Sequence, residues 1–142
     1  YTGIVSLFAR LAKQGQSIPV YEDGQIVRDF VFIDDVASAI VAGVLHSPAA
    51  AVPYDIGLGE RTTIMQVAQA IAEHYGAPAP HVTGQFRDGD VRAAWADTVR
   101  ARQALDWEPR VGVTEGINRL CDWIDAQQEA VPSAPSVTAT EV

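Results

Sequence analysis

The fold is decided by residues 27–37, which read Val27-Arg28-Asp29-Phe30-Val31-Phe32-Ile33-Asp34-Asp35-Val36-Ala37. Residues 27–33 are rich in β-branched and aromatic side chains, a composition typical of a strand. Asp34 or Asp35 can then accept the free backbone N–H groups at the start of a helix, so we interpret them as caps and not as catalytic acids. The apolar face of that helix carries three residues at helical spacing, Val36, Ile40 and Val44. A strand that leads directly into a helix predicts the α/β class.

Short apolar runs and amphipathic stretches alternate on both sides of this segment. Upstream, residues 4–11 have helical spacing ahead of Gly15, and residues 18–21 predict a short strand with proline at its edge. Downstream, strands are predicted at 53–57 and 81–83, and helices at 63–76, 99–105 and 113–127. The helix at 63–76 begins with a possible capping box, Thr63 with Gln66, and ends at Gly76.

These elements predict one α/β unit over residues 1–128, with a small mixed sheet and about five helices. Residues 129–142 are rich in Pro, Ser, Ala and Thr, and we expect them to form a disordered tail. The chain starts at Tyr1 instead of a methionine and runs straight into an amphipathic pattern, which indicates an internal start.

Composition excludes several classes of function. The chain has 10 Lys and Arg against 18 Asp and Glu, a formal net charge of −8. Nucleic-acid binding needs a broad basic face, which ten scattered cations cannot form. The longest apolar stretch, residues 36–45, is about half of the roughly 20 residues that a membrane-spanning helix needs. Cys121 is the single cysteine and no Cys/His spacing fits zinc, so we expect no disulfide, no metal, and a cytoplasmic protein.

Two loops nevertheless place an arginine in this acidic background. One runs from Tyr21-Glu22-Asp23-Gly24 to Arg28-Asp29-Phe30, and the other is Phe86-Arg87-Asp88-Gly89-Asp90. A guanidinium on a turn offers a planar fork of five donors, which suits a diphosphate. The sequence therefore predicts a pocket for a phosphorylated ligand. Because the overall field is negative, such a site must act locally and at short range.

Six short strings carry a resemblance to a known family. They are Tyr21-Glu22-Asp23-Gly24, the segment 27–37 quoted above, Tyr54-Asp55-Ile56-Gly57-Leu58-Gly59, Arg87-Asp88-Gly89-Asp90-Val91-Arg92, Ala96-Asp97 and Ala104-Leu105-Asp106-Trp107-Glu108-Pro109. Together they resemble the C-terminal, substrate-binding half of the extended short-chain dehydrogenase/reductases that epimerise or dehydrate nucleotide sugars, above all the UDP-glucose 4-epimerase type. The resemblance covers residues 1 to about 127. It implies the C-terminal portion of a Rossmann-type enzyme, without the N-terminal dinucleotide-binding sheet.

The resemblance also implies roles for individual residues. Arg28 matches the arginine that grips the diphosphate of the nucleotide sugar, and Arg87 matches a second phosphate-binding arginine. Asp90 matches the carboxylate that accepts hydrogen bonds from the ribose hydroxyls. Val20 and Tyr21 lie where family members wall in the nucleobase. The expected ligand is a nucleotide sugar, with a UDP sugar preferred.

Less specific interpretations stay open for several residues. Arg92 is as well suited to a surface ion pair as to a ligand contact. Arg28 could simply pair with the adjacent Asp29. Gly57-Leu58-Gly59 could be a dinucleotide turn, an interpretation we disfavour because no third glycine follows. We interpret the three tryptophans, Trp95, Trp107 and Trp123, as packing residues.

The groups that would carry catalysis are not found in this sequence. It has no glycine-rich strand-to-helix turn. Its one lysine is Lys13, and the residue four positions before it is Ala9, not a tyrosine. By resemblance, NAD is bound by the missing N-terminal domain, where the Tyr-x-x-x-Lys pair also lies. We therefore expect the chain alone to be inactive and to bind no NAD. We also expect residues 27–60 to pack on that missing domain, so that the isolated chain self-associates and the full-length enzyme is a homodimer.

Three classes of function remain. The first is part of an NAD-dependent nucleotide-sugar epimerase, which we favour, with a 4,6-dehydratase or a decarboxylase of the same family as alternatives. The second is a non-catalytic nucleotide-binding module. The third is an oligomerisation module.

Overall fold

The computed structural model describes residues 3–46 and 52–129. Within these ranges it contains five helices, α1 (Ile4–Lys13), α2 (Ile33–His46), α3 (Ile64–Tyr75), α4 (Val99–Leu105) and α5 (Val113–Glu129). It also contains four two-residue strands, β1 (Pro19–Val20), β2 (Val27–Arg28), β3 (Thr62–Thr63) and β4 (His81–Val82). The predicted tail from residue 130 onward lies outside the described residues. Among the described residues, none of the helices combines the length and apolar character needed to cross a membrane.

The strands form two separate two-stranded ladders. β1 pairs with β4 in parallel, with Val20 opposite Val82, and β2 pairs with β3 antiparallel, with Arg28 opposite Thr62. A single parallel bridge joins Val27 to Ala93. The parallel and antiparallel pairings that the sequence predicted within one small mixed sheet are therefore divided between two ladders.

Two predicted strands differ from the structure. The strand predicted at 27–33 ends at Arg28, because the chain leaves the ladder there and enters α2 at Ile33. Residues 53–57 form no strand, although Tyr54 and Ile56 pack against α2 and α4. An apolar run becomes a strand only when another strand completes its hydrogen bonds, and no described segment does so here. β3 was not predicted, since its two threonines carry no alternating pattern.

The main core lies where α1, α3 and α5 meet. Its fully buried side chains come from those helices, from β1 and from the residue just before β1, and include Ala9, Ile18, Val20, Val67, Ala68, Ile71 and Cys121. Alanines on α1 and α3 let the two helices approach closely. A second, smaller core joins α2 to α4 through Ala39, Ala101, Leu105 and Trp107.

The ends of α3 follow the predicted local signals. Gln66 donates its backbone N–H to the Thr63 hydroxyl at 3.1 Å, and the Thr63 N–H donates to the Gln66 side chain at 2.8 Å. Gly76 ends the helix with φ 61°, a left-handed conformation that glycine adopts without steric cost. The capping box and the glycine stop are confirmed.

A polar contact at the surface joins all three helices of the main core. The Lys13 ammonium lies 2.7 Å from Asp125 Oδ1, and the Tyr75 hydroxyl donates to the same oxygen at 3.1 Å. The Lys13 ammonium holds the pKa of the Asp125 carboxyl below its ordinary value. Partial burial, with the neighbouring groups of Cys121 and Asp125, raises the pKa of Tyr75 well above its ordinary value.

Asp35 is not the helix cap that the sequence suggested. α2 begins at Ile33, so both Asp34 and Asp35 lie within its first turn, where a negative charge is favourable. The Asp35 side chain instead points to the segment just before α5. Its two oxygens accept hydrogen bonds from the backbone N–H groups of Arg110 and Val111, each at 3.0 Å. The residue is only 4% exposed. Asp35 therefore ties α2 to the α4–α5 connection.

The tryptophans divide into one packing residue and two exposed ones. Trp107 is buried, and its Nε1 donates to the Asp35 carbonyl at 3.1 Å and to Ser38 Oγ at 2.8 Å. Trp95 and Trp123 are 43% and 58% exposed, so the packing interpretation is wrong for them in this chain. The Arg61 guanidinium lies 3.9 Å from the centre of the Trp95 ring, a cation–π contact.

Two of the three residues on the predicted apolar face of α2 face solvent, whereas Val36 is half-buried. Ile40 is 64% exposed and Val44 80% exposed, whereas Ala39 and Asp35 form the buried side of the helix. Ile33, Val41 and Leu45 extend the exposed apolar surface. Small side chains pack against the rest of the chain, while the large ones remain uncovered. That residues 27–60 pack on another domain stays a prediction.

We expect Asp35→Ala to lower the free energy of unfolding by about 1.5 to 3 kcal/mol, because two backbone N–H groups lose a charged, buried acceptor. Asp34→Ala is the matched control, since it removes the same group one position earlier on the same turn from an exposed site. It should change stability by about 0.5 kcal/mol or less. Urea unfolding followed by far-UV circular dichroism measures both, and equal effects would contradict the role of Asp35.

Candidate functional site

A cleft of about 370 Å³ lies between α1, β1 and β2. Its apolar lining comes from seven side chains, Ile4, Leu7, Phe8, Pro19, Ile26, Phe30 and Ile64. Four further residues complete the lining, Tyr21, Arg28, Arg87 and Asp90. Four of the six residues predicted from the sequence are thus brought together in one cavity, although they come from segments about 60 residues apart in the chain. The geometry joins an apolar surface to a small charged group.

Arg28 enters the cleft from β2 and is held at one end of its guanidinium. Its Nη1 donates to the Val27 carbonyl at 2.8 Å and to the Val91 carbonyl at 2.6 Å. Within the described part of the chain, Arg28 forms no ion pair with Asp29. Successive side chains of an extended segment point to opposite sides, which separates these two neighbours. The simple pairing of Arg28 with Asp29 is therefore not what the structure shows.

Asp29, on the opposite side, binds three backbone N–H groups. Its Oδ1 accepts from Leu58 at 2.8 Å, and its Oδ2 accepts from Gly59 at 2.9 Å and from Ala96 at 3.1 Å. This role of Asp29 was not predicted from the sequence. The signals that could have indicated it are the Asp29 carboxylate itself and the free N–H groups of the Gly57-Leu58-Gly59 turn. The N–H groups of Leu58 and Gly59 are consequently occupied. The turn therefore does not offer them to a dinucleotide, which argues against the interpretation of Gly57-Leu58-Gly59 as a dinucleotide turn.

Arg87 and Asp90 are presented by one tight turn. The Asp90 N–H donates to the Arg87 carbonyl at 3.2 Å and closes this turn, and both residues line the cleft. Gly84 and Gly89, with φ of 70° and 87°, allow the chain to bend before and within this turn. The Arg87 guanidinium carbon lies 5.9 Å from the centre of the Tyr21 ring. Neither Arg87 nor Asp90 has a side-chain hydrogen bond or ion pair within the described residues.

Val20 does not line the cleft. Its side chain is fully buried in the main core. Its carbonyl accepts from the N–H of Thr83 at 2.9 Å and from the Thr83 hydroxyl at 3.2 Å. In this arrangement the Val20 side chain therefore does not contact a molecule in the cleft. Val20 supports the cleft by positioning its neighbour Tyr21.

Arg92 also lies outside the lining of the cleft. It forms a surface ion pair, which is one of the two roles that the sequence left open for it. Its Nη1 donates to Glu22 Oε2 and Asp23 Oδ1, each at 2.8 Å, and its Nη2 donates to Asp23 Oδ2 at 2.6 Å. The Arg92 guanidinium holds the pKa of the Asp23 carboxyl well below its usual range. The hydrogen bond to Asp23 in turn raises the pKa of Arg92.

The charge within the cleft is the reverse of the charge of the chain. Two arginines and one aspartate are the charged residues among those that line it, whereas the chain as a whole carries −8. An anion would be attracted here only at close range, since the surrounding charge repels it at larger distances. Within residues 3–46 and 52–127, no group of three or more His, Cys, Asp or Glu side chains is arranged to hold a metal ion.

The family model described as GDP-mannose 4,6 dehydratase matches residues 2–120, which include every residue that lines the cleft. The chain belongs to this family. Its membership confirms the resemblance to the extended short-chain dehydrogenase/reductases that epimerise or dehydrate nucleotide sugars. The α/β fold of Rossmann-type epimerases, which the sequence predicted, is also confirmed.

Three known proteins are similar to this chain over most of its length. It is 52% identical over 124 residues to the dTDP-L-rhamnose 4-epimerase of Burkholderia thailandensis, with 87% of this chain and 34% of that protein covered. The structure of UDP-glucose 4-epimerase with UDP-glucose from Thermotoga maritima matches with a TM-score of 0.79 and 29% identity, covering 89% of this chain and 40% of that one. The UDP-glucose 4-epimerase complex with NAD from Thermus thermophilus matches with a TM-score of 0.72 and 31% identity, covering 84% and 39%.

The chain thus spans between 34% and 40% of the length of these relatives. The ligand contacts assigned to Arg28, Arg87, Asp90 and Tyr21 stay predictions at this point.

We expect Gly57→Ala to destabilise the fold by about 1 to 3 kcal/mol, the usual cost of overpacking a close contact. A Cβ at Gly57 would lie 2.5 Å from Asp29 Oδ2 and 2.6 Å from the Ala96 Cβ, so it would displace the carboxylate from its three donors. Gly112→Ala is the matched control, because its Cβ would meet nothing within 4 Å. Thermal unfolding measures the difference, and an equal shift for both variants would argue against the Asp29 junction.

Proposed function

We propose that this chain forms the substrate-binding part of an NAD-dependent nucleotide-sugar epimerase, and that its cleft holds the nucleoside diphosphate. The observation that carries the proposal is the convergence of Arg28, Arg87 and Asp90 on one cavity with an apolar lining. The 4-epimerase names of the similar proteins from Burkholderia thailandensis and Thermotoga maritima support the choice of reaction class.

In this proposal each polar group of the cleft takes one part of the ligand. The guanidinium of Arg28, held at Nη1, directs its remaining donors to the diphosphate, and Arg87 adds a second cationic fork. Asp90, on the same turn as Arg87, accepts a hydrogen bond from the sugar of the nucleoside, through the 3′-hydroxyl of a deoxyribose or both hydroxyls of a ribose. The Tyr21 ring and the apolar lining cover the faces of the base.

The cofactor and the proton-transferring groups belong to the remainder of the full-length enzyme in this proposal. The residues present here do not fit NAD, because the one Gly-x-Gly turn of the chain has its Leu58 and Gly59 N–H groups bound to Asp29. The chain also lacks a Tyr-x-x-x-Lys pair. It therefore binds and orients the substrate, and it has no turnover by itself.

The exposed apolar face of α2 is the surface on which the remainder of the enzyme packs in this proposal. Ile40 and Val44 are largely exposed, and burying such side chains is favourable by about 25 cal/mol per Å² of apolar area. The same face supports a second candidate, a non-catalytic oligomerisation module. That candidate predicts that the charged residues of the cleft are dispensable.

Thymine is the base that we propose for the preferred ligand, in place of the uracil preferred from the sequence. One reason is the 52% identity to a protein named for dTDP-L-rhamnose. The other is the apolar lining of seven side chains, which favours the additional methyl group of thymine. A dehydratase or a decarboxylase would use the same nucleotide-binding residues, so the choice among these reactions rests on the names of the relatives.

We expect Arg28→Ala and Arg87→Ala each to weaken dTDP binding by about 1.5 to 3 kcal/mol, the usual contribution of a hydrogen bond to a charged group. Isothermal titration calorimetry with dTDP measures the loss. Arg100→Ala is the control, since it removes an exposed arginine of α4 that does not line the cleft. Binding that is unchanged in both cleft variants would favour the oligomerisation module.

We expect dTDP to bind about fourfold more tightly than dUDP, because one buried methyl group contributes about 0.8 kcal/mol. These two ligands differ only in the 5-methyl group, so their ratio isolates the contact with the apolar lining. A comparison of dUDP with UDP isolates the ribose 2′-hydroxyl in the same way. If UDP binds more tightly than dTDP, the UDP sugar predicted from the sequence is the better assignment.

A further inference from the structure

Arg92 joins two segments of the chain that each contribute residues to the lining of the cleft. Its guanidinium makes three hydrogen bonds to Glu22 and Asp23, at 2.6 to 2.8 Å. Those carboxylates belong to the turn that directly follows Tyr21. Arg92 itself follows Asp90 by two residues, at the end of the turn that carries Arg87.

The segment around Arg92 is already attached to β2 by its backbone. The Val27 N–H donates to the Arg92 carbonyl at 3.0 Å, and the Ala94 N–H donates to the Val27 carbonyl at 3.1 Å. Arg28 Nη1 binds the Val91 carbonyl at 2.6 Å. The backbone at residue 92 is consequently held in place, and the long Arg92 side chain reaches from it to the turn at 22–24.

That turn contains a backbone conformation that needs support from outside. Glu22 has φ of 50°, which is unfavourable for a residue with a Cβ. Inside the turn, Asp23 Oδ1 accepts the Gln25 N–H at 2.9 Å. From outside, the Gln85 carbonyl accepts the Glu22 N–H at 2.7 Å, and Arg92 binds the Glu22 carboxylate. The strained residue is therefore held by the segment that carries Arg87 and Asp90.

We propose that Arg92 is a positioning residue of the cleft, which clamps the turn at 22–24 to the segment after Asp90 and so sets the spacing between Tyr21 and the Arg87–Asp90 turn. A guanidinium suits this role because its planar fork binds two carboxylates at once with defined directions. Lysine would keep the charge and lose the fork. The consequence for ligand binding rests on the proposed function, whereas the effect on the loop does not.

The test compares Arg92→Ala, Arg92→Lys and Asp23→Ala with the double variant Asp23→Arg/Arg92→Asp, which exchanges the two charges. Two quantities are measured on the full chain. Backbone amide hydrogen exchange of residues 84–92 without nucleotide reports the clamp, and calorimetric titration with dTDP reports the cleft. Because Arg92 and Asp23 are exposed, the thermal midpoint is expected to change little, which separates positioning from general stability.

We expect Arg92→Ala and Asp23→Ala each to speed exchange in residues 84–92, and to weaken dTDP binding, by about fivefold, the factor that matches the upper range for an exposed ion pair. Arg92→Lys should resemble Arg92→Ala, since the fork is lost. The exchanged pair should recover part of both losses.

Two results would overturn the positioning role. If Arg92→Ala weakens dTDP binding while Asp23→Ala leaves it unchanged or improves it, Arg92 contacts the ligand directly. If none of the variants changes the exchange of residues 84–92, there is no clamp. A chain that shows the expected exchange pattern but binds neither dTDP nor UDP would support the clamp and contradict the proposed function.

Discussion

The carboxylate of Asp29 is the interaction on which the arrangement of the cleft depends. It accepts the backbone N–H groups of Leu58, Gly59 and Ala96, and so joins three segments that are far apart in the chain. A charged acceptor with three donors is among the stronger hydrogen-bonded groups in proteins. Because neighbouring side chains of an extended segment alternate, the same bonds that hold Asp29 on one side direct Arg28 to the other. Structural support and the candidate site are thus built from adjacent residues.

Arginine serves two different purposes around the cleft. Arg28 and Arg87 line it, and neither is neutralised by a carboxylate within the described residues. Arg92 is bound to two carboxylates and stays outside the lining. Arg102 and Arg119 are likewise bound to glutamates, away from the cleft. Arg28 and Arg87 matter because they line the cleft, where the donors of Arg87 and those of Arg28 other than Nη1 remain available to an anion.

Helices were predicted more reliably than strands, for a physical reason. The signals that begin and end a helix are local, as in the capping box of Thr63 with Gln66 and the glycine stop at Gly76. A strand depends on a partner elsewhere in the chain. Residues 53–57 have the composition of a strand and no partner among the described segments, whereas β3 has a partner and no recognisable composition. The exposed apolar face of α2 shows the same dependence on a partner. Its helical periodicity can be read from the sequence, but whether the face is buried depends on which other segment or protein packs on it.

The sequence by itself determined the α/β class, the five helices, the membership of a nucleotide-sugar family, and the choice of Arg28, Arg87 and Asp90, because these follow from local pattern and from strings of matched residues. Only the tertiary structure decided that these three share one cavity and that Arg92 does not line it. The partners of Arg92 lie 69 and 70 residues earlier, and those of Asp35 lie 75 and 76 residues later. A sequence shows which side chains can donate or accept, but the partner of each is chosen by the folding of distant segments against one another.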